Sequence, residues 1–282
     1  TMIDSVTSTD GGGYGVPFTG NTWFMYYDTS VFSEDDVKSL DTMLEKGKVA
    51  FPLTDSWYIA AFYYANGCTI FGESGMDAAA GFDFGGDKAV AVTKYLVNLY
   101  NNANFSVDAD GSGLSGLREG TVNAFFSGTW NAEAVKEALG DNFGATQLPT
   151  ITIDGEAKQM RSFAGSKAIG VNPNCQNMQA AIALAVYLGS AEAQKAHYEM
   201  RGIVPTSNAL SNDATVSADI VAMAQANTIA NTSVLQATLP EMGSYWTPSE
   251  NMGKAIVSGE VTLDNAAEKT EAYNNALNNA SM

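Results

Sequence analysis

Three of the four tryptophans stand at comparable points in the chain. Trp57 lies two residues after Asp55, which is placed to cap a helix. Trp130 directly follows Thr129, a second candidate cap, and Trp246 directly precedes Thr247, a third. The first two also come straight after strand-like runs. In open α/β sheets the carboxyl ends of strands and the adjoining helix N-termini form the ligand crevice, so these indoles are expected to gather at one rim. Indole offers a broad apolar face and an N–H at its edge. A sugar ring carries C–H patches on its faces and hydroxyls around its perimeter, and stacking on indole beside carboxylates or amides serves both. The chemistry this pattern points to is saccharide binding. The plainer reading, in which each tryptophan packs a core or a helix start, fits the same pattern. Asp55 is equally double: an N-cap carboxylate accepts backbone N–H bonds, and its second oxygen remains available to a hydroxyl.

A second chemical pattern is Asp108-Ala109-Asp110-Gly111-Ser112-Gly113 with Glu119 at the twelfth place. This is the acidic spacing of an EF-hand calcium loop. Ser115 occupies the usually apolar eighth position, and Gly120 interrupts an exiting helix, so a solvated turn and a Ca2+ site are both open readings. No other cofactor is required. The single histidine, His197, lies within a helical pattern and leaves little means for triad hydrolysis or a His-rich metal site. Cys68 and Cys175 have no metal-like spacing and suggest no disulfide framework. A glycoside hydrolase would need two opposed carboxylates at a defined separation. Only Asp55 stands near the proposed platforms.

Composition narrows the partners. The 282 residues include 31 acidic against 14 basic side chains, a net charge of −17. Such a surface repels phosphate backbones and anionic lipid, which excludes nucleic acid as the expected partner. Hydrophobic residues make up 45% of the chain, enough for a packed core. The longest apolar run, residues 180–188, is too short to cross a bilayer, so no transmembrane segment is expected.

The elements that must position these residues follow from periodicity and caps. Residues 1–15, rich in glycine, read as a loop. Strands are expected at 22–27, 48–53, 121–126 and 162–171, with a hairpin at 151–160 turning on Asp154-Gly155. Ser33 with Asp36 forms a capping box for a helix closed by Gly47. Asp55 caps a second helix ending at Asn66-Gly67, and Asp87 begins a third with Val90, Leu96 and Leu99 on its buried face. Further helices are expected after Thr129, at 176–188, 191–200 and 217–230, after Thr247-Pro248-Ser249-Glu250, and at 264–280. Strands alternating with helices imply an α/β sheet covered on both faces.

In this order and spacing the chain resembles the maltose/maltodextrin-binding proteins, the extracytoplasmic solute-binding components of ATP-binding-cassette (ABC) sugar importers. Tyr14-Gly15-Val16-Pro17-Phe18 followed by Trp23-Phe24-Met25-Tyr26-Tyr27 is similar to the family's first interlobe crossing. The likeness continues through Phe51 to Trp57, Ala65-Asn66-Gly67, Gly120-Thr121, Phe126-Ser127-Gly128-Thr129-Trp130, Leu148-Pro149, Phe163-Ala164-Gly165, Leu239-Pro240 and Tyr245-Trp246, covering nearly all of residues 14–282. It implies a periplasmic-binding-protein-like two-lobe α/β fold of the class II type, binding malto-oligosaccharide between the lobes without catalysis. By position, Trp57, Trp130 and Trp246 match aromatic platforms, Asp55 a carboxylate that holds sugar hydroxyls, and Asn21 and Gln236 further cleft residues. Asn21 stands where maltose binders carry an acidic residue, and Glu250 where one has a basic residue.

The resemblance also implies ABC permease subunits as partners and an extracytoplasmic location, as a cell-surface lipoprotein or in the periplasm. The family has a long stretch before the first crossing that this chain lacks. Residues 1–18 are then a loop and the first crossing. Residues 19–162 with 222–282 form the C-terminal lobe, and 166–218 the remaining part of an incomplete N-terminal lobe. The alternatives are a glycoside hydrolase and a non-transport carbohydrate-binding or adhesion protein.

Overall fold

The computed structural model describes residues 2–8 and 10–279. In chain order, β1 (Val16–Asn21) and β2 (Phe24–Asp28) lead to α1 (Leu40–Lys46), β3 (Val49–Phe51) and α2 (Ser56–Ala65). A small ribbon of β4 (Thr69–Ile70) and β5 (Phe82–Asp83) precedes α3 (Gly86–Tyr100), β6 (Phe105–Val107), α4 (Ser112–Glu119) and β7 (Ala124–Ser127). Next come α5 (Ala132–Leu139), β8 (Phe143–Thr146), the hairpin of β9 (Thr150–Ile153) and β10 (Glu156–Gln159), and the long β11 (Ser162–Ile169). The remainder is α6 (Met178–Leu188), α7 (Ala191–Arg201), α8 (Ala214–Ser217), α9 (Ile220–Asn231), β12 (Ser233–Leu235), α10 (Trp246–Val257) and α11 (Ala266–Asn279).

Two sheets organise these elements. The larger has the order β6-β3-β7-β2-β8, with β3 parallel to β6 and β7, and β2 antiparallel to β7 and β8. Its strands alternate strictly, because successive side chains of a strand point to opposite faces. Met25, Tyr27, Val49, Phe51 and Phe126 enter one core, while Phe24, Tyr26, Ala50 and Phe125 enter a second on the opposite face. Both faces are therefore covered by helices. The smaller sheet, β1-β11-β12, pairs β1 antiparallel and β12 parallel with β11.

Local signals act as their chemistry requires, with four corrections. Asp154 (φ 53°) and Gly155 (φ 79°) both adopt the positive angles of the expected turn. Ser33 and Asp36 do exchange backbone-to-side-chain bonds, but the box opens only a short 3-10 turn, and Ser39 caps α1 instead. Thr129 caps nothing: residues 129–131 form a 3-10 turn behind Gly128, with no side-chain cap on the turn or on α5. Thr247 is likewise not a cap. A 3-10 turn at Pro240–Ser244 runs directly into α10, so Trp246 is already helical and Pro248 sits in the first turn, where its missing N–H has no intrahelical partner to lose. In α3 the buried side includes Ala89, Val92, Leu96 and Leu99, while Val90 is only half-buried. His197 of α7 packs its ring edge-on against Phe18 of β1 at 4.7 Å.

The C-terminal helices brace the larger sheet. On α11, the Asn278 side chain accepts from the Phe82 N–H and donates to the Phe82 carbonyl, and Asn274 accepts from the Phe84 N–H. By contrast, α6 is apolar yet largely exposed, with Ile182, Leu184, Val186 and Tyr187 about half accessible. Helix α10 approaches the chain leading into Asp55 so closely that a Cβ on Gly253 would lie 2.2 Å from the Leu53 carbonyl oxygen. Alanine is the better helix former by about 1 kcal/mol, but rigid backbone cannot yield as a side chain would. We therefore expect Gly253→Ala to destabilise the protein by about 1–3 kcal/mol in urea unfolding. Unchanged stability would mean that this approach does not constrain α10.

Candidate functional site

The parallel strands β3, β6 and β7 end at Phe51, Val107 and Ser127, and the residues that follow them share one rim. After β3, Asp55 caps α2, its Oδ1 accepting the Trp57 backbone N–H at 2.8 Å. After β7, the turn behind Gly128 presents Trp130, whose side chain remains 49% exposed. A Cβ on Gly128 would meet Trp130 ring atoms at 2.1–2.6 Å, so glycine lets this indole lie against the backbone. The two rings meet: the Trp57 and Trp130 centroids are 6.2 Å apart with planes inclined by 34°.

The smaller sheet supplies the other side. The Trp57 Nε1–H donates to Gln236 Oε1 at 3.1 Å, and the Gln236 N–H donates to the Ala164 carbonyl at 2.9 Å. Gln236 thereby ties the Trp57 ring to β11. Asn21, at the end of β1, lies opposite Gly165 of β11. Among the described residues, no ring contact joins Trp246 to the other two indoles. It stands edge-on against Phe163 of β11 at 6.2 Å and against Tyr245 at 5.2 Å. The structure thus brings Asp55, Trp57, Trp130 and Gln236 into direct contact and places Asn21 and Trp246 along the same β11 margin.

Concavities of about 360 Å³ between α3 and the β9–β10 hairpin, and about 520 Å³ behind β1, both lie away from the rim.

Electrostatics mark the same place. Protein packed around Asp55 raises its carboxyl above the ordinary 3.8, the Trp57 N–H opposes this, and Glu250 adds to the rise. Glu250 itself is paired with Lys254. Sequence reasoning missed Tyr58, which stacks on the buried Trp23 at 4.7 Å and stands perpendicular to Trp57. Its hydroxyl is pushed above the usual tyrosine range by burial first, then by Asp55 and Asp108. It also missed Lys167 of β11, whose ammonium lies 5.9 Å from the Trp130 ring centre. A strand of alternating small and polar residues gave no signal for it.

The calcium reading of Asp108 to Glu119 is corrected. Residues 112–119 are helix α4, which carries Glu119 away to its far end, and Asp108 Oδ1 is spent on the Gly113 N–H at 2.8 Å. Among the described residues, no group of three or more His, Cys, Asp or Glu side chains could hold a metal ion.

Comparison with known proteins decides the family. The sequence pattern of the bacterial extracellular solute-binding proteins matches residues 1–225. The chain belongs to that family. It is a family of binding proteins, which sets the hydrolase reading aside. A structure solved with acarbose is 53% identical, with a TM-score of 0.95 over all of this chain and 74% of that one. The maltodextrin-binding protein of L. casei BL23, 24% identical with a TM-score of 0.89 over 98% of this chain and 74% of that one, shares the fold. A galactooligosaccharide-binding protein of Bacillus subtilis is 29% identical over 90% of this chain and 64% of its own length. A maltooligosaccharide ABC transporter solute-binding lipoprotein of Streptococcus pneumoniae is 27% identical over 95% and 66%. The chain thus spans about two thirds of the length of these two relatives. No helix among the described residues is long and apolar enough to cross a membrane.

Asp55 can be tested apart from any ligand. Asparagine caps helices about as well as aspartate, while alanine costs about 1 kcal/mol. Asp55→Asn should leave stability near neutral pH within a few tenths of a kcal/mol, and Asp55→Ala should lower it. Because the folded carboxyl titrates above 3.8, the folded state holds the proton more tightly than the unfolded chain. This group's contribution is present below 3.8 and is lost as pH rises through the raised value. The unfolding free energy of the native protein relative to Asp55→Asn should therefore fall as pH rises through that window. A flat difference would refute the raised titration.

Proposed function

We propose that this protein binds an oligosaccharide, foremost a malto-oligosaccharide or maltodextrin, and presents it to the permease subunits of an ABC importer. The observation that carries this reading is the Trp57–Trp130 pair at the rim of the larger sheet, fixed from the other side by Gln236. Two inclined indoles about one sugar ring apart give successive residues of a curved glucan an apolar face each. Asp55 and the polar margin of β11 supply partners for the hydroxyls. Trp246, along the same margin, serves a more distant sugar residue, and Asn21 its edge.

The relatives named for maltooligosaccharide and the structure solved with acarbose support an α-glucan. The relative named for galactooligosaccharide supports the same function with a different sugar. The lipoprotein name of the pneumococcal relative supports a cell-surface or periplasmic location.

The lobes are assigned accordingly. Residues 19–162 with 222–282 form the C-terminal lobe, which holds the larger sheet, while residues 19–21 of β1 and all of β12 join β11 in the smaller sheet at the crossing. Residues 166–218 are part of the other lobe, with residues 1–18 entering the crossing. The exposed apolar α6 supports incompleteness of that lobe, since a helix apolar on every side is normally buried. Sugar would then favour a closed arrangement by touching both lobes at once.

Isothermal titration with maltotriose, maltotetraose and a galactooligosaccharide tests the assignment. Heat is expected with the α-glucans. Trp57→Ala and Trp130→Ala should each weaken binding at least tenfold, about 1.4 kcal/mol. Heat with the galactooligosaccharide alone would change the sugar, and none with either class would overturn the function.

A further inference from the structure

The side of the rim formed by β11 has a construction of its own. Gly165 and Lys167 are two residues apart in one strand, so they point to the same face, while Ser166 between them points to the other. That other face is closed. Ser166 Oγ lies 2.6 Å from Ser5 Oγ, and a Cβ on Gly20, the partner of Ser166 across the ladder, would run into Gln225 Nε2 at 2.4 Å. The face of Gly165 and Lys167 is the reverse. A Cβ on Gly165 would meet no heavy atom within 4 Å. Lys167, exposed and opposite Thr19, reaches from the smaller sheet toward the larger and lays its ammonium over the Trp130 ring at 5.9 Å. Among the described residues no carboxylate forms an ion pair with it, as is also true of Lys48, Lys94 and Lys136, but Lys167 alone of these four lies over a tryptophan of the rim.

We propose that Gly165 and Lys167 are specificity-determining residues of the saccharide site: Gly165 leaves the space in which the sugar ring stacked on Trp130 lies, and Lys167 donates to its hydroxyls. This rests on the function proposed above and names a wall of the site that the aromatic residues do not supply. Without ligand, the unpaired ammonium rests over the indole face, an attraction that is weak at an exposed site. An arriving sugar ring takes that face, and the ammonium turns its three donors to the hydroxyls along the ring edge. The opposing carboxylate at Asp55 makes the site amphoteric, with an acceptor on the α2 side and a donor on the β11 side. A neutral polyhydroxylated ring, whose hydroxyls both donate and accept, matches such a pair.

The two residues give two independent tests by calorimetry with maltotetraose. Lys167→Met keeps the stem and removes the donor. Loss of a hydrogen bond to a charged donor weakens binding by about tenfold or more, and Lys167→Arg should recover part of it. Gly165→Val adds two methyls where the free protein has open space and a strand backbone that favours β-branched residues. Its melting temperature should match the native protein while binding drops by about tenfold or more. Native protein and Trp130→Ala are run alongside. If native protein binds, Trp130→Ala is weakened, and both β11 variants bind like native, this inference falls and the sugar site stands. If native protein binds no glucan, the site and this inference fall together. A destabilised Gly165→Val would overturn the claim of open space, leaving Lys167 to be judged by its own variants.

Discussion

The larger sheet has no free face, and the placement of Trp57 and Trp130 depends on that constraint. Phe51 and Phe126 are held on one side while Ala50 and Phe125 are held on the other, so apolar side chains within the strands are used up in the two cores. An aromatic group meant for solvent must then stand beyond a strand end. The parallel arrangement of β3, β6 and β7 brings three such ends to one edge, and Trp57 and Trp130 are each the first large side chain after a strand to remain accessible there. Trp23, at the same edge but before β2, is instead fully buried beneath Tyr58.

The smaller sheet matters because its backbone meets this edge. At the start of β11 the junction is shared core, with Phe163 packed against Tyr64 and Tyr245; beyond it, toward the rim, the contacts become single and directional. Trp57 reaches Gln236 through a single N–H, Gln236 is anchored to Ala164, and Trp246 leans on Phe163.

Much of this was legible in the sequence, for identifiable reasons. Asp55, the Asp154-Gly155 turn and the long alternating runs carry strong local chemistry, and each took the place its residues imply. Short strands carry too few residues for a period to show: β6, β8 and β12, of three or four residues, depend on their neighbours for pairing. The supposed caps at Thr129 and Thr247 failed because 3-10 turns lead into both helices and remove the extended residue a cap requires. Among the candidate residues, the chain pattern brought Trp57 and Trp130 to one rim and the family resemblance pointed to Gln236, whereas Tyr58 and Lys167 owe their positions wholly to tertiary packing. The acidic spacing at Asp108 misled for a related reason, since a helix start and a calcium loop favour the same small and acidic residues.

The asparagines of α11 have a consequence for how the molecule behaves among its neighbours. A two-stranded ribbon such as β4–β5 ordinarily leaves an outer row of amide groups that can recruit a strand from another chain. Here the Phe82 N–H and carbonyl and the Phe84 N–H are already engaged by the side chains of Asn278 and Asn274. The helix acts as a surrogate strand: it saturates the ribbon's margin with carboxamides and closes that margin to intermolecular β-pairing, without lengthening the sheet.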